Sequence, residues 1–279
     1  HWVEGTGSIK NINPSDTADV ISEYTSATGE QFEQAVESAI IAQKEWEEVG
    51  IEKKSQILIR IGDELIQKSE ELGELLSQEE GKPLAEGIGE VARAGQQFQY
   101  YGSECLRLYG EKIPSTRPGF QVEISREPLG VVGIISPWNF PIAIPAWKAA
   151  PAMMCGNAVI LKPASLTIGS AVALTEIISK QDIPKGLFNL VLGSGSDIGH
   201  KIAVHPEIAA ISFTGSVETG RQLYKDASST MKKMQMEMGS KNPLIIMDDA
   251  NLKTAITCAV NGAYGGTGQK CTASSRLIV

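Results

Sequence analysis

Short apolar runs that alternate with helical stretches dominate the second half of the chain and most constrain its fold. Four such runs lie at Val131–Ile135, 158–161, 187–192 and 209–213. Continuous apolar strands separated by helices of ~10–20 residues are typical of βαβ units, whose parallel sheet is covered on both faces. The pattern therefore predicts an α/β fold with a Rossmann-like parallel sheet. Ligands of such sheets bind beyond the carboxyl ends of the strands.

The segment 28–109 has a different, helical pattern. Apolar residues recur there at helical spacing, first from Phe32 and again from Ile57. Thr28 and Gln31 match a capping box. These features predict an N-terminal helical layer ahead of the sheet. Between the two parts, residues 120–126 alternate apolar and polar side chains, which predicts a half-exposed strand.

The composition excludes several classes of function. The 279 residues include 42% hydrophobic and 21% charged residues, as in globular proteins. A net charge of −8 argues against nucleic acid or an anionic membrane as the main partner. No apolar stretch reaches the ~18 residues that a membrane span needs. Four scattered cysteines and three histidines lack the spacing of a disulfide framework or a metal site. We therefore expect a reduced, cytoplasmic protein without a metal.

Cys271 is the strongest candidate for chemistry. It lies in Gly-Gln-Lys-Cys-Thr-Ala at 268–273, where flexible backbone makes a thiol accessible and Lys270 favours the thiolate. Glu237 is a candidate base 34 residues upstream. The other three cysteines lie in apolar helical patterns, and we expect them to be buried: Cys105, Cys155 and Cys258.

A rigid segment, Pro-Trp-Asn-Phe-Pro at 137–141, surrounds a single amide side chain. Its two prolines fix the backbone around Asn139. Such rigidity suits an oxyanion donor, because the value of the donor depends on its being preorganised. A structural loop that Trp138 and Phe140 merely anchor is the alternative.

Three segments at predicted strand ends are candidate nucleotide contacts. The glycine-rich segment 193–199 has the spacing GxGxxxG, one residue longer than the dinucleotide fingerprint. Phe-Thr-Gly-Ser at 213–216 also leads from a strand into a helix. Lys162 ends the strand 158–161, where a cation faces the ligand crevice. Ordinary strand-to-helix turns and a surface lysine are the alternatives.

Six segments together resemble the aldehyde dehydrogenase superfamily in order and spacing. They are Pro-Trp-Asn-Phe-Pro at 137–141, Trp147-Lys148, Lys-Pro-Ala at 162–164, Phe-Thr-Gly-Ser at 213–216, Glu-Met-Gly at 237–239 and Gly-Gln-Lys-Cys at 268–271. The resemblance is close over 129–279 and looser in the helical part. The cysteine segment and Ile-Ile-Ser-Pro at 134–137 are most similar to the branch that oxidises 2-oxoglutarate semialdehyde, succinate semialdehyde and related semialdehydes.

The resemblance implies oxidation of an aldehyde to a carboxylic acid with NAD or NADP. Cys271 would attack the aldehyde carbon, and Asn139 would stabilise the resulting oxyanion. Glu237 would activate the water that hydrolyses the thioester, with Lys148 in support. The implied nucleotide contacts are Pro137, Trp138, Lys162, Ser165, Gly215 and Ser216.

This sequence departs from the family pattern in three ways. Ser165 stands where many members carry a glutamate that chelates the adenosine ribose and repels a 2′-phosphate, so we expect NADP to be accepted. Ser240 replaces the second glycine of the usual Glu-Leu-Gly-Gly run, which restricts the backbone after Glu237. Members of the family are also much longer, so we interpret the chain as a fragment.

The resemblance further implies a domain organisation and partners. Residues 1–109 and 129–239 would form a dinucleotide-binding domain, 110–128 a β-arm for oligomerisation, and 240–279 the start of a second α/β catalytic domain. An isolated alternating strand in the arm would otherwise be an exposed edge. We therefore expect a homo-oligomer, dimer or tetramer, that acts on a small-molecule aldehyde.

Three other functions remain open at this point. A CoA-acylating aldehyde dehydrogenase would resolve the thioester with CoA instead of water, and Glu237 argues against it. The chain could also be a nucleotide-binding but catalytically inactive fragment. A thiol hydrolase that uses Cys271 and Glu237 without a nucleotide would leave Lys162 and Ser216 without a role.

Overall fold

Helices occupy most of the first half of the chain, as its apolar spacing predicts. The computed structural model describes residues 2–279. Its α-helices are α1 (Gly29–Glu47), α2 (Ile51–Gln67), α3 (Ser69–Glu80), α4 (Leu84–Cys105), α5 (Ala143–Met154), α6 (Ile168–Ser179), α7 (His200–Val204), α8 (Val217–Ala227) and α9 (Leu252–Tyr264). The predicted capping box is present, because the side chains of Thr28 and Gln31 each accept from the other's backbone N–H.

Within the described residues, the strands form one five-stranded and three two-stranded sheets. The strands are β1 (Thr6–Ile12), β2 (Val20–Ser26), β3 (Glu111–Pro114), β4 (Gln121–Ile124), β5 (Val131–Ile135), β6 (Ala158–Lys162), β7 (Phe188–Leu190), β8 (Ile208–Gly215), β9 (Lys233–Met238), β10 (Asn242–Ile245) and β11 (Ser274–Ile278). The large sheet has the order β7-β6-β5-β8-β9, and its strands pair in parallel. This sheet confirms the predicted α/β fold.

The order of the large sheet creates a crevice at its centre. From β5 the chain proceeds through β6 and β7 towards one edge, then returns to add β8 and β9 on the other side. The crevice therefore opens at the carboxyl ends of β5 and β8, where doubly wound sheets bind ligands. All five residues of β5 and all five of β6 are buried. Both faces of the central strands are therefore covered, as predicted.

The helical layer and the sheet share one apolar core. Phe32 and Trp46 of α1 are fully buried, and so is Phe98 of α4. The indole N–H of Trp46 donates to the carbonyl of Met153 at the end of α5 over 2.8 Å. A buried indole normally needs such a partner. This bond fixes the N-terminal helices against the segment that leads from β5 to β6.

Six strands lie outside the predicted runs: β1, β2, β3, β9, β10 and β11. β9 alternates polar and partly buried residues, because it is the edge strand of the large sheet. β3 pairs antiparallel with β4, which is the strand predicted at 120–126. Every residue of β3 and β4 is exposed, including the apolar Ile113 and Val122. A short polar or exposed strand gives little apolar signal, so sequence alone underestimates it.

The last part of the described chain is more exposed than the rest. Leu252, Ile256 and Val260 lie one turn apart on α9, and each is more than half exposed. The expectation that all three other cysteines are buried is wrong: Cys105 is buried, Cys155 is partly buried and Cys258 is exposed on α9. No helix in residues 2–279 combines the length and the apolar character that crossing a bilayer requires.

Candidate active site

The candidate residues follow the carboxyl ends of neighbouring parallel strands. The segment 137–141 comes directly after β5, Lys162 ends β6, Gly215 ends β8, and Glu237 is the next-to-last residue of β9. Carboxyl ends of parallel strands lie at one edge of a sheet, so the topology brings these residues to the central crevice. Cys271 is different, because it reaches this region through the loop before β11.

Asn139 and the cysteine loop are joined directly. The Nδ2 atom of Asn139 donates to the carbonyl oxygen of Gln269 over 2.7 Å. Gln269 precedes Cys271 by two positions, so the amide and the thiol lie in one neighbourhood. A carboxamide carries two N–H donors, and this bond uses one of them. The other remains available to an oxyanion.

A buried ion pair supports the Asn139 loop from beneath. Lys82, in the turn between α3 and α4, donates to Glu90 and to the carbonyl of Asn139, each over 2.7 Å. Its Nζ also lies 4.2 Å from the ring centroid of Phe140. Glu90 accepts from the backbone N–H groups of Ile142 and Ala143, each over 3.1 Å. Four contacts therefore fix the segment that carries the amide.

This pair was not found from the sequence. Glu90 lies among the buried residues Gly87, Val91 and Ala94 of α4. A charged residue inside an apolar helical stripe indicates a buried partner. Burial raises the pKa of Glu90, while the charge of Lys82 opposes the rise.

The cysteine loop has an unusual backbone. Gly266, Thr267 and Gly268 all have positive φ angles, and Thr267 pays the steric cost that glycine avoids. Asn242 of β10 donates through Nδ2 to the carbonyl of Cys271 over 2.7 Å. Cys271 itself is exposed, as predicted. Lys270 is drawn towards Glu86 of α4, 3.4 Å away.

The candidate base lies at the end of a short polar chain. Lys148 of α5 donates to Ser212 and to Gln235, each over 2.8 Å, and the amide of Gln235 donates to Glu237 over 3.2 Å. Burial lowers the pKa of Lys148 to about 8, and the charge of Glu237 opposes that fall. Gln235 was not found from the sequence. Its signal is the alternation of β9, which places Lys233, Gln235 and Glu237 on one face. Among residues 2–279, no hydrogen bond joins Glu237 to Cys271.

Two buried polar groups suit a nucleotide at the crevice. Lys162 is buried, and its Nζ donates to the carbonyl of Pro163 over 2.8 Å. An ammonium has three donors, so two are left for ligand oxygens. Burial lowers the pKa of Lys162 to about 8. Ser136, directly after β5, is buried and its hydroxyl has no partner within the described chain. An unpaired buried hydroxyl at this position is the donor that a polar ligand would satisfy.

The other predicted nucleotide contacts are placed less directly. Ser216 begins α8, where its hydroxyl accepts from the backbone N–H of Thr219 over 3.1 Å and donates to the Thr219 hydroxyl over 2.9 Å. A Cβ on Gly215 would lie 2.5 Å from the ring of Phe213, so internal packing alone requires glycine there. Ser165 is exposed in the turn after β6. Pro137 and Trp138 are partly buried in the loop after β5.

A groove runs from the glycine-rich segment to α8. It has a volume of about 1080 Å³ and is lined by Gly195, Ser196 and His200 on one side and by α8 on the other. The glycine-rich segment forms a single π-helical turn from Gly195 to Gly199, not a phosphate loop of the usual spacing. Within residues 2–279, no group of three or more His, Cys, Asp or Glu side chains is placed to hold a metal ion.

A doubly wound sheet with an exposed thiol and a buried lysine at its crevice defines an α/β protein of the dinucleotide-binding class. Comparison with protein families gives a match over residues 2–279 to the description "Aldehyde dehydrogenase family". The chain belongs to the aldehyde dehydrogenase family.

Curated relatives point to the same family. The 2,5-dioxopentanoate dehydrogenase of Saccharolobus solfataricus is 39% identical over all of this chain and 59% of its own length. The alpha-ketoglutaric semialdehyde dehydrogenase of Bacillus subtilis is 40% identical over all of this chain and 57% of its own length. The chain thus spans less than two thirds of the length of these relatives.

Solved structures confirm the fold. An aldehyde dehydrogenase from Brucella melitensis biovar abortus 2308 superimposes with a TM-score of 0.97 at 33% identity, over 99% of this chain and 58% of its own. A betaine aldehyde dehydrogenase from Staphylococcus aureus, solved in complex with NAD+, has a TM-score of 0.96 at 34% identity, over 99% and 55% of the two chains.

Proposed function

We propose that this chain provides the nucleotide seat and the nucleophile of an enzyme that oxidises a semialdehyde to a carboxylic acid with NAD or NADP. The bond from Asn139 to Gln269 carries this proposal, because it sets an amide donor beside the loop of an exposed cysteine. The family membership and the semialdehyde-specific names of the relatives support the substrate class.

In the proposed reaction, the Cys271 thiolate attacks the aldehyde carbon and forms a C–S bond. The free N–H of Asn139 stabilises the oxyanion that results. NAD(P), held at the crevice by Lys162, would supply the two-electron oxidant for this carbon, and the oxidation would leave a thioester on Cys271. Glu237 then takes a proton from water, and the water oxygen attacks the thioester carbon. The C–S bond breaks, the carboxylic acid leaves and the thiolate is restored.

Lys148 is assigned a supporting role on the base. Its ammonium and the carboxylate of Glu237 contact the same amide, that of Gln235, and this arrangement holds opposite charges on one face of the sheet. Through Gln235, Lys148 therefore fixes the position of the carboxylate that takes a proton from water.

The nucleotide contacts are part of the same proposal. Lys162 offers two free donors to ribose or phosphate oxygens, and Ser136 offers an unpaired hydroxyl at the end of the neighbouring strand β5. The hydroxyl of Ser216 is engaged in capping α8, so we assign its contribution to the backbone at the start of that helix, where N–H groups favour an anion. Pro137, Trp138 and Gly215 complete the walls of the proposed nucleotide site.

Ser165 bears on the choice between NAD and NADP. It is exposed after β6 and places no carboxylate beside the adenosine ribose. A 2′-phosphate therefore meets no negative charge from this position, and we propose that NADP is accepted. Ser165→Glu should lower kcat/KM for NADP by at least tenfold relative to NAD. A wild-type kcat/KM at least tenfold higher for NAD than for NADP would contradict this proposal.

The test of the function is NAD(P)H formation with 2-oxoglutarate, glutarate and succinate semialdehydes. Cys271→Ala should abolish turnover, while Cys258→Ala, which removes another exposed cysteine, should not. Unchanged turnover in Cys271→Ala would overturn the assignment of the nucleophile. Acceleration by CoA with formation of an acyl-CoA would show that CoA, not water, resolves the thioester.

We also propose the domain boundaries, the assembly and the compartment. A separate parallel sheet of β10 and β11 supports a second domain from residue 240, after a dinucleotide-binding domain of 1–109 and 129–239. The exposed apolar residues of β3 and β4 support a homo-oligomerisation arm at 110–128. Free cysteines agree with a cytoplasmic protein. Light scattering on a variant that lacks the arm would test the assembly, which should become monomeric.

A further inference from the structure

We propose that Glu86 of α4 is a positioning residue for Cys271, and that α4 sets the spacing between the thiol and the Asn139 amide. The proposal rests on the function above, because it assigns a role to a residue outside the reacting groups. The observation behind it is that one face of α4 contacts both the cysteine loop and, through Lys82, the Asn139 loop.

Glu86 holds the cysteine loop at the point of its strained backbone. Its Oε1 atom accepts from the backbone N–H of Gly266 over 3.0 Å, and Oε2 lies 3.4 Å from the ammonium of Lys270. The hydrogen bond from Gly266 holds the pKa of Glu86 below its usual range, with the charge of Lys270 adding to the effect. The carboxylate therefore stays ionised and keeps its grip on both groups at neutral pH.

The strain of the loop explains why an external contact is needed. Three consecutive residues have positive φ, and one of them is Thr267, whose Cβ makes the left-handed region unfavourable. Such conformations persist only where the surroundings determine them. Glu86, Asn139 and Asn242 supply that determination through their hydrogen bonds to the loop.

The same face of α4 also supports the loop that carries the Asn139 amide. Glu90 lies four residues after Glu86, one helical turn along. It holds the N-terminus of α5 directly and the Asn139 carbonyl through Lys82. Since Asn139 bonds to Gln269, the two loops and α4 close a ring of contacts. A rigid helix turn therefore determines the distance between nucleophile and oxyanion donor.

The two contacts of Glu86 can be separated by substitution. Glu86→Gln keeps an oxygen for Gly266 but loses the ion pair, which is partly exposed and therefore weak. Glu86→Ala loses both. Glu74→Ala, on the exposed face of α3, is the matched control.

We expect Glu86→Ala to lower kcat for aldehyde oxidation at least tenfold while the nucleotide KM stays within twofold, because the nucleotide seat lies on β5, β6 and β8. Glu86→Gln should stay within threefold of the wild type. Equal losses of kcat and nucleotide affinity, or wild-type activity in Glu86→Ala, would overturn the positioning role.

A second readout does not depend on turnover. Hydrogen exchange of the peptide that contains Gly266 should be at least tenfold faster in Glu86→Ala than in the wild type and unchanged in Glu74→Ala. Glu86→Gln should stay close to the wild type. If the wild type showed no dehydrogenase activity but exchange were still faster in Glu86→Ala, the proposed function would be refuted and the contact between Glu86 and Gly266 would be supported. Unchanged exchange would refute the positioning contact itself.

Discussion

Glu80, the last residue of α3, should make the unfolding free energy of the protein depend on pH. Its side chain is 1% exposed, and its Oε2 atom accepts no hydrogen bond within the described residues. Lys82 lies 3.8 Å away but binds Glu90 at 2.7 Å. Burial raises the pKa of Glu80 from 4.5 to about 7; Lys82 opposes this rise and Glu90 adds to it.

The sign of the effect on stability follows from the raised pKa. Between pH 4.5 and 7 the folded protein keeps a proton on Glu80 that the unfolded chain releases. The favourable contribution is therefore complete below pH 4.5 and is lost as pH rises through 7. A rise of this size corresponds to about 3 kcal/mol of unfolding free energy between the two limits.

Glu80→Gln keeps the shape of the side chain and removes its titration. We expect the variant and the wild type to have similar unfolding free energies at pH 4.5, because Glu80 is then protonated in the folded state. At pH 8.5 the variant should be more stable, by up to about 3 kcal/mol. Urea unfolding followed by circular dichroism at four pH values from 4.5 to 8.5 measures the difference.

A variant of an exposed glutamate serves as the control for Glu80→Gln. Glu74→Gln, on the exposed face of the same helix, should change stability by no more than about 0.5 kcal/mol at any pH. A Glu80→Gln difference that stays constant across this pH range would mean that Glu80 does not titrate there in the folded protein. A difference that falls with pH would mean that Lys82 stabilises the ionised form of Glu80 more than burial opposes it.

Two further substitutions test the packing around the site. Lys82→Met should reduce the unfolding free energy by about 3–5 kcal/mol, because it leaves Glu90 buried without its cation, and a loss below 1 kcal/mol in urea unfolding would contradict this. Gly215→Ala should cost about 1–3 kcal/mol, since the added Cβ lies 2.5 Å from the Phe213 ring. Gly50→Ala, where a Cβ meets nothing within 4 Å, is its control, and equal thermal shifts in the two variants would refute the packing argument.

The large sheet could be predicted because its central strands have a clear apolar pattern in the sequence. β5 and β6 are buried on both faces and read as continuous apolar runs, and the observed β5 has the predicted bounds. β9 gave no such run, since an edge strand needs apolar residues on one face only. Gln235 was lost with it, because its place beside Lys148 and Glu237 depends on knowing that these residues share a strand face.

The motif residues of the candidate site could be proposed from the sequence, but the side chains that hold their loops could not. Short segments such as Pro-Trp-Asn-Phe-Pro carry their own local signal. The bond between Glu86 and Gly266 joins positions 180 residues apart, and that between Asn139 and Gln269 joins positions 130 apart. No spacing rule operates over such distances, because the pairing is decided by how helices and sheet pack together.

The strand residues and the cysteine loop of the candidate site are held in place in different ways. Lys162 and Gly215 belong to strands of the large sheet, so backbone pairing fixes their positions. Cys271 lies outside that sheet, and side chains from α4, the β5–α5 loop and β10 hold its loop instead. A substitution of Glu86 or Asn242 can therefore shift the thiol without disturbing the proposed nucleotide seat. Changes in α4 should alter kcat more than nucleotide affinity, whereas changes in the strands should do the reverse.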